Sequence, residues 1–208
     1  MDFEQQLKAY CTDKNPYLRP FGPNPHWKQA QVFIVGTNPA TPMRDEFTSP
    51  DEYWDSLTKS PDIFECKYNC ARGHKISKTS KNIKKLCVEL PDVNLLITNA
   101  SAFPCGPHVR VPLAERERGK WIFKELVNLC KPRVIFAHGQ KAQRLIESEF
   151  DIPPLDPYVP DKRSAEVNGA LLLCAPHMSG LGIRKGKTFC WDEELPKYAQ
   201  IIRQAVIH

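Results

Sequence analysis

The run Val32-Phe33-Ile34-Val35-Gly36-Thr37-Asn38-Pro39 constrains this chain more than any other stretch. Four consecutive apolar residues, three of them β-branched, predict a short buried strand. Gly36 breaks the run, and Asn38-Pro39 fixes a turn just past the strand's carboxyl end. In open α/β sheets, ligands sit beyond the carboxyl ends of strands. Asn38 is therefore a polar side chain on a stiff loop where substrates bind. The plainer alternative is an ordinary strand-turn in which the Asn bonds its own backbone.

The same pattern recurs down the chain. Residues 93–98 predict a second strand ending at Asn99-Ala100-Ser101, and residues 133–137 a third that turns at His138-Gly139 into a helix through Ala142, Leu145 and Ile146. Residues 164–167 and 170–174 predict a hairpin, because Asn168-Gly169 suits a type I′ turn. The second arm, Leu171-Leu172-Leu173-Cys174, is apolar throughout and so central. It runs into Pro176-His177-Met178-Ser179-Gly180-Leu181. Helical spacing appears in residues 3–10, after Ser49-Pro50, in the segment with Ile83, Leu86, Cys87 and Leu90 (capped by Thr79 or Ser80), in residues 120–130, and from about Glu194 onward. Residues 15–26 read as an extended arm and 103–118 as a long irregular loop. Strands alternating with helices predict βαβ units and a mostly parallel sheet.

With 208 residues, 41% of them hydrophobic, the chain can bury one real core, and no repeat or linker divides it. A single domain over 1–208 is expected. No apolar run approaches a membrane span, and residues 1–11 are too polar for a signal peptide. Eight scattered cysteines read as mostly buried thiols of a reducing compartment, the cytoplasm, nucleoid or nucleus. Cys66-x3-Cys70-x3-His74 with Cys87 has some metal-ligand character, but spacing of four also stacks thiols on one helix face. No metal or cofactor is expected. A net charge of +5, with Lys67, Arg72, Lys75, Lys78, Lys81, Lys84 and Lys85 clustered, permits an anionic partner without requiring one.

Three strand ends thus carry small polar motifs: Asn38, Asn99 and His177-Met178-Ser179. In a parallel sheet they share one rim. An amide there reads a base edge or holds a water. An imidazole stabilises a developing oxyanion, and a Ser beside Gly offers donors to a phosphate.

In that order and context these motifs resemble the uracil-DNA glycosylase superfamily. Gly36-Thr37-Asn38-Pro39 resembles the Gly-x-Asn-Pro first motif of its mismatch-specific and single-strand-selective branches. Phe47-Thr48-Ser49-Pro50 with Tyr53-Trp54 resembles the loop whose aromatic stacks on the base. Residues 95–99 resemble the strand ending in the base-reading Asn, and Pro176-His177-Met178-Ser179-Gly180-Leu181 lies between two versions of the closing motif. The resemblance spans residues 30–205. It implies a three-layer αβα sandwich around a four-stranded, mostly parallel sheet.

The resemblance also implies a reaction: excision of uracil, or a related deaminated base, from DNA by a monomeric enzyme that cleaves the N-glycosidic bond after the base leaves the stack. Asn38 would position the attacking water and His177 would stabilise charge on uracil O2. Gly36, Thr37, Phe47 and Asn99 would hold the base. Ser179, Gly180, Leu181, Arg184 and Lys185 would bind DNA, Leu181 as the wedge. Two departures matter: Met178 stands where a Pro is usual, and Ala40 where other branches carry Tyr or Gly. The rival readings are a binder of this fold without activity and an enzyme of small nucleosides.

Overall fold

The computed structural model describes residues 2–43, 45–106, 111–181, 183 and 189–207. In chain order the elements are α1 (Phe3–Thr12), β1 (Val32–Gly36), α2 (Pro50–Thr58), α3 (Pro61–Ala71), α4 (Lys78–Glu89), β2 (Leu95–Asn99), α5 (Leu113–Cys130), β3 (Val134–His138), α6 (Gln140–Glu149), β4 (Ser164–Val167), β5 (Ala170–Ala175) and α7 (Trp191–Ile207). No helix among the described residues is long and apolar enough to cross a membrane.

The sheet runs β2-β1-β3-β5-β4. The first four strands are mutually parallel, and β4 is antiparallel to β5. One strand more than the expected four is present, because the Asn168-Gly169 hairpin adds its outer arm to the sheet edge. Both turn residues take positive φ, 49° and 80°, as a type I′ turn requires. The opposite edge, β2, is covered by the arm of residues 15–26. There the Gly22 N–H donates to Ile97 O at 2.7 Å, and Thr98 Oγ1 to Pro20 O at 2.6 Å. A covered edge cannot template pairing with another chain.

Alternation along the buried strands divides the core. Phe33, Val35, Ile135, Ala137, Leu172 and Cys174 face a large, aromatic-rich cluster that also takes in residues of α1, α2, α5 and α6. Val32, Ile34, Val134, Phe136, Leu173 and Ala175 face a smaller cluster closed by α4 and α7. Helices on both faces of a parallel sheet give the expected three layers.

Several boundaries differ from expectation. Ser77, rather than Thr79 or Ser80, caps α4, accepting from the Ser80 N–H at 3.0 Å. α5 starts at Leu113, because residues 113–118 are good helix formers whose charges hide any apolar period. α3 gave no strong signal either, since Phe64 is its one fully buried residue. α7 begins at Trp191, placing Pro196 in its second turn. α2 is as the sequence predicts: Ser49 accepts from the Glu52 N–H at 3.1 Å, and Tyr53, Trp54 and Leu57 are buried.

Candidate active site

The sheet register builds the site. Gly36 pairs with Asn99, Val35 with Ala137, and His138 with Ala175. A row therefore crosses the carboxyl rim in the order Asn99, Gly36, His138, Ala175. By strand alternation all four project to the α4–α7 side. Gly36 is the low point of the row: a Cβ there would lie 2.8 Å from Asn99 Oδ1 and 3.5 Å from His138 Nε2. The missing side chain leaves a notch that Asn99 Oδ1 and His138 Nε2 both border.

Past β1, the chain is zipped to the segment after β2. Ala100 N–H donates to Gly36 O (2.8 Å), Ser101 N–H to Thr37 O (3.0 Å) and Cys105 N–H to Pro39 O (2.9 Å). Asn38 joins this zip through its amide nitrogen, which donates to Cys105 O at 2.9 Å and Pro39 O at 3.1 Å. The same nitrogen lies 3.2 Å from Cys105 Sγ. With Nδ2 committed, Oδ1 is the end of the half-buried side chain that can accept from a water.

Past β5, His177 is fixed on three sides. Its ring lies against Gly139, where a Cβ would come within 2.8 Å of Cδ2. Only a glycine fits there, and φ at this position is +91°. The His138 ring meets His177 at a centroid distance of 5.3 Å and 72° between planes. Ser179 clamps the third side: its N–H donates to Nδ1 at 3.2 Å, and its hydroxyl lies 2.7 Å from the same nitrogen. A backbone N–H can only donate, so Nδ1 carries the lone pair and the proton of the neutral ring is on Nε2. Burial lowers the His177 pKa and so favours that neutral form.

Met178 does not loosen this loop for want of a proline. Its side chain is fully buried in the smaller core, and its carbonyl accepts from the buried Asn82 amide at 2.7 Å. His177 O accepts from Trp191 Nε1 at 3.2 Å and from the Gly180 N–H at 2.8 Å. Leu181 follows at 73% exposure, and the Lys78 ammonium lies 3.5 Å from where a Cβ on Gly180 would stand.

The carboxyl rim thus carries Gly36, Thr37, Asn38 and Asn99 at the ends of β1 and β2, and His177, Ser179, Gly180 and Leu181 past β5. Phe47 lies in the large core, edge-on to Tyr53 at 5.1 Å and stacked on Phe64 at 6.1 Å, with the Lys67 ammonium 4.9 Å from its centroid. Arg184 and Lys185 lie outside the described residues. Ser179 Oγ also accepts from the Leu181 N–H at 3.2 Å, so its polar atoms serve the loop itself. Cys66 and Cys70 are exposed free thiols, and among the described residues no three His, Cys, Asp or Glu side chains are placed to share a metal ion.

Sequence reasoning missed His138, Gly139, Asn82 and Trp191. The first two sit at a strand end, where the argument used for Asn38 and Asn99 applied equally, but His138-Gly139 read as a turn. Asn82 and Trp191 act through main-chain carbonyls and leave no pattern.

A doubly covered, mostly parallel sheet with amide and imidazole groups at one carboxyl rim defines a three-layer α/β protein. The chain matches the Uracil DNA glycosylase superfamily over residues 26–198 and belongs to that superfamily. Among curated proteins none matches it.

Proposed function

We propose that this protein excises uracil, or a closely related deaminated base, from DNA by hydrolysing the N-glycosidic bond. The single observation that carries the reading is the Ser179 N–H on His177 Nδ1, which leaves Nε2–H as a neutral donor. As the glycosidic bond breaks, the base leaves with negative charge on O2. A preorganised donor in a dry site stabilises that charge at the moment it forms. Asn38, its nitrogen held by Cys105, turns its oxygen to the attacking water. An amide cannot take the water's proton as a carboxylate would, so the water is oriented but weakly activated. Asn99 reads the pyrimidine edge beside the open floor of Gly36 and Thr37. Leu181, exposed next to Gly180, fills the gap left in the stack. Lys78 stands beside that loop to meet the phosphates.

Single-turnover assays with excess protein on oligonucleotides bearing one uracil, paired with A, paired with G or unpaired, test this. Abasic product is expected in at least one context, with affinity falling as salt rises. Salt-sensitive binding without abasic product would instead make the protein a non-catalytic binder. Neither product nor salt-sensitive binding would point to a small-nucleoside enzyme.

A further inference from the structure

His138 has a feature that its place at the end of β3 does not explain. The side chain is 3% exposed, yet Nδ1 is sealed from solvent with no hydrogen-bond partner. Burial, helped by the neighbouring His177, holds the ring neutral. A neutral imidazole has one N–H and one bare nitrogen. An N–H buried without an acceptor is among the rarest features of folded proteins, whereas a bare acceptor is tolerated more often. The proton therefore belongs on Nε2.

Nε2 faces the notch. It lies 3.5 Å from the point a Gly36 Cβ would occupy, and Asn99 Oδ1 lies 2.8 Å from the same point. Both atoms border the one point above Gly36 that a side chain would fill. An N–H directed there favours the amide oxygen over the amide NH2, which would set like partial charges face to face.

From this geometry we infer that His138 is a positioning residue for Asn99, fixing which end of its amide meets the base. The inference rests on the base-excision reading above and adds a determinant of specificity to it. Uracil offers its O4 acceptor and N3–H donor side by side, whereas cytosine offers an amino donor and a bare N3. An Asn99 held one way round matches the first pattern. Matching cytosine would require rotating the amide, and Nε2–H opposes that rotation. Asn99 Oδ1 has two lone pairs, so one can face His138 while the other accepts from N3–H. The assignment explains why a polar ring stands in a row where an apolar one would pack without an orphaned nitrogen.

Two measurements decide it. The first is a long-range 1H–15N spectrum of the wild-type protein, which reads the tautomer of each histidine without any substrate. His138 is expected with its proton on Nε2; a proton on Nδ1 overturns the inference whatever the activity. The second compares His138→Phe and His138→Gln in single-turnover excision of uracil and of cytosine. His138→Phe keeps the ring against His177 but has no donor. It is expected to lower uracil excision about tenfold and to narrow the uracil-over-cytosine ratio by a similar factor. His138→Gln restores an N–H2 and is expected to recover part of both. A folded His138→Phe with uracil excision within twofold of wild type and an unchanged ratio overturns the inference. If His138→Phe does not fold, His138→Leu, which also lacks a donor, takes its place: a narrowed uracil-over-cytosine ratio supports the inference and an unchanged one overturns it. Wild-type protein that excises nothing defeats the base-excision reading, and with it the role in specificity, while the spectrum still reports the tautomer.

Discussion

The two halves of the rim are held by different forces. The amide half, at the ends of β1 and β2, is a polar zip: three main-chain hydrogen bonds and the Asn38 side chain join residues 36–39 to residues 100–105. The imidazole half, at the ends of β3 and β5, is hydrogen-bonded too, but its ring is seated by close contact. His177 lies on a glycine, against another ring and above a buried Met178, with the Ser179 clamp and the Asn82 and Trp191 bonds finishing the job. Hydrogen bonds of a zip share the load, so losing one loosens the loop by only about 1 kcal/mol. Close contact does not share it: one added methyl has nowhere to go. The amide half should therefore degrade gradually under substitution and the imidazole half abruptly.

Removing the two side chains proposed to act on the water and the leaving base should give the largest effects. His177→Ala is expected to lower single-turnover excision by about 10²–10³-fold, the usual cost of one lost oxyanion donor. Asn38→Ala is expected to cost less, about 10²-fold, because the backbone zip still holds the loop and a water can enter it. Both should melt close to wild type, since each side chain is only half-buried. Equal losses from the two would mean that the halves share one function, and near-wild-type excision by both would remove the proposed site altogether.

The two glycines test the contrast more finely. Gly139→Ala places a Cβ 2.8 Å from the His177 ring at a φ of +91°. It should cost about 1–3 kcal/mol of stability from backbone strain and reduce excision at least tenfold. Gly36→Ala places its Cβ 2.8 Å from Asn99 Oδ1. Its φ is not positive, so melting should shift little while recognition of uracil suffers. Urea midpoints and excision rates measured on both variants settle the comparison. A Gly36→Ala variant as unstable as Gly139→Ala would show that the amide half is as rigid as the other.

The same division explains how much was legible in the sequence. Asn38 and Asn99 announce themselves, because a strand that ends in a polar residue and a turn is a local pattern. The order of the sheet is less local. That His138 and His177 touch follows from β3 pairing with β5, and no spacing within either segment records it. Phe47 shows the limit from the other side: an aromatic in a polar loop reads as a base-stacking group, but in the structure Tyr53 and Phe64 enclose it. Helix starts were visible where a cap stands before an apolar period, as at Ser49, and invisible where charged helix formers come first, as in α5.

The mildest test uses proton linkage rather than side-chain removal. Burial pushes the His138 pKa down to about 3, from an ordinary value of 6.5. Below pH 6.5 an unfolded chain takes a proton on this imidazole and the folded chain refuses it until about pH 3. The unfolded state then binds more protons, so stability falls as pH falls through that window, by at most about 1.4 kcal/mol per pH unit. Between pH 7.5 and pH 5 the wild type should lose up to about 2 kcal/mol through this one group. His177 acts in the same direction to a smaller degree, because it is less buried. His138→Phe has nothing to protonate at that position, so its urea midpoint should change less over the same range. Equal losses in variant and wild type would mean that the ring at 138 takes up its proton in the folded protein, and the imidazole half would then be more open to water than its packing implies.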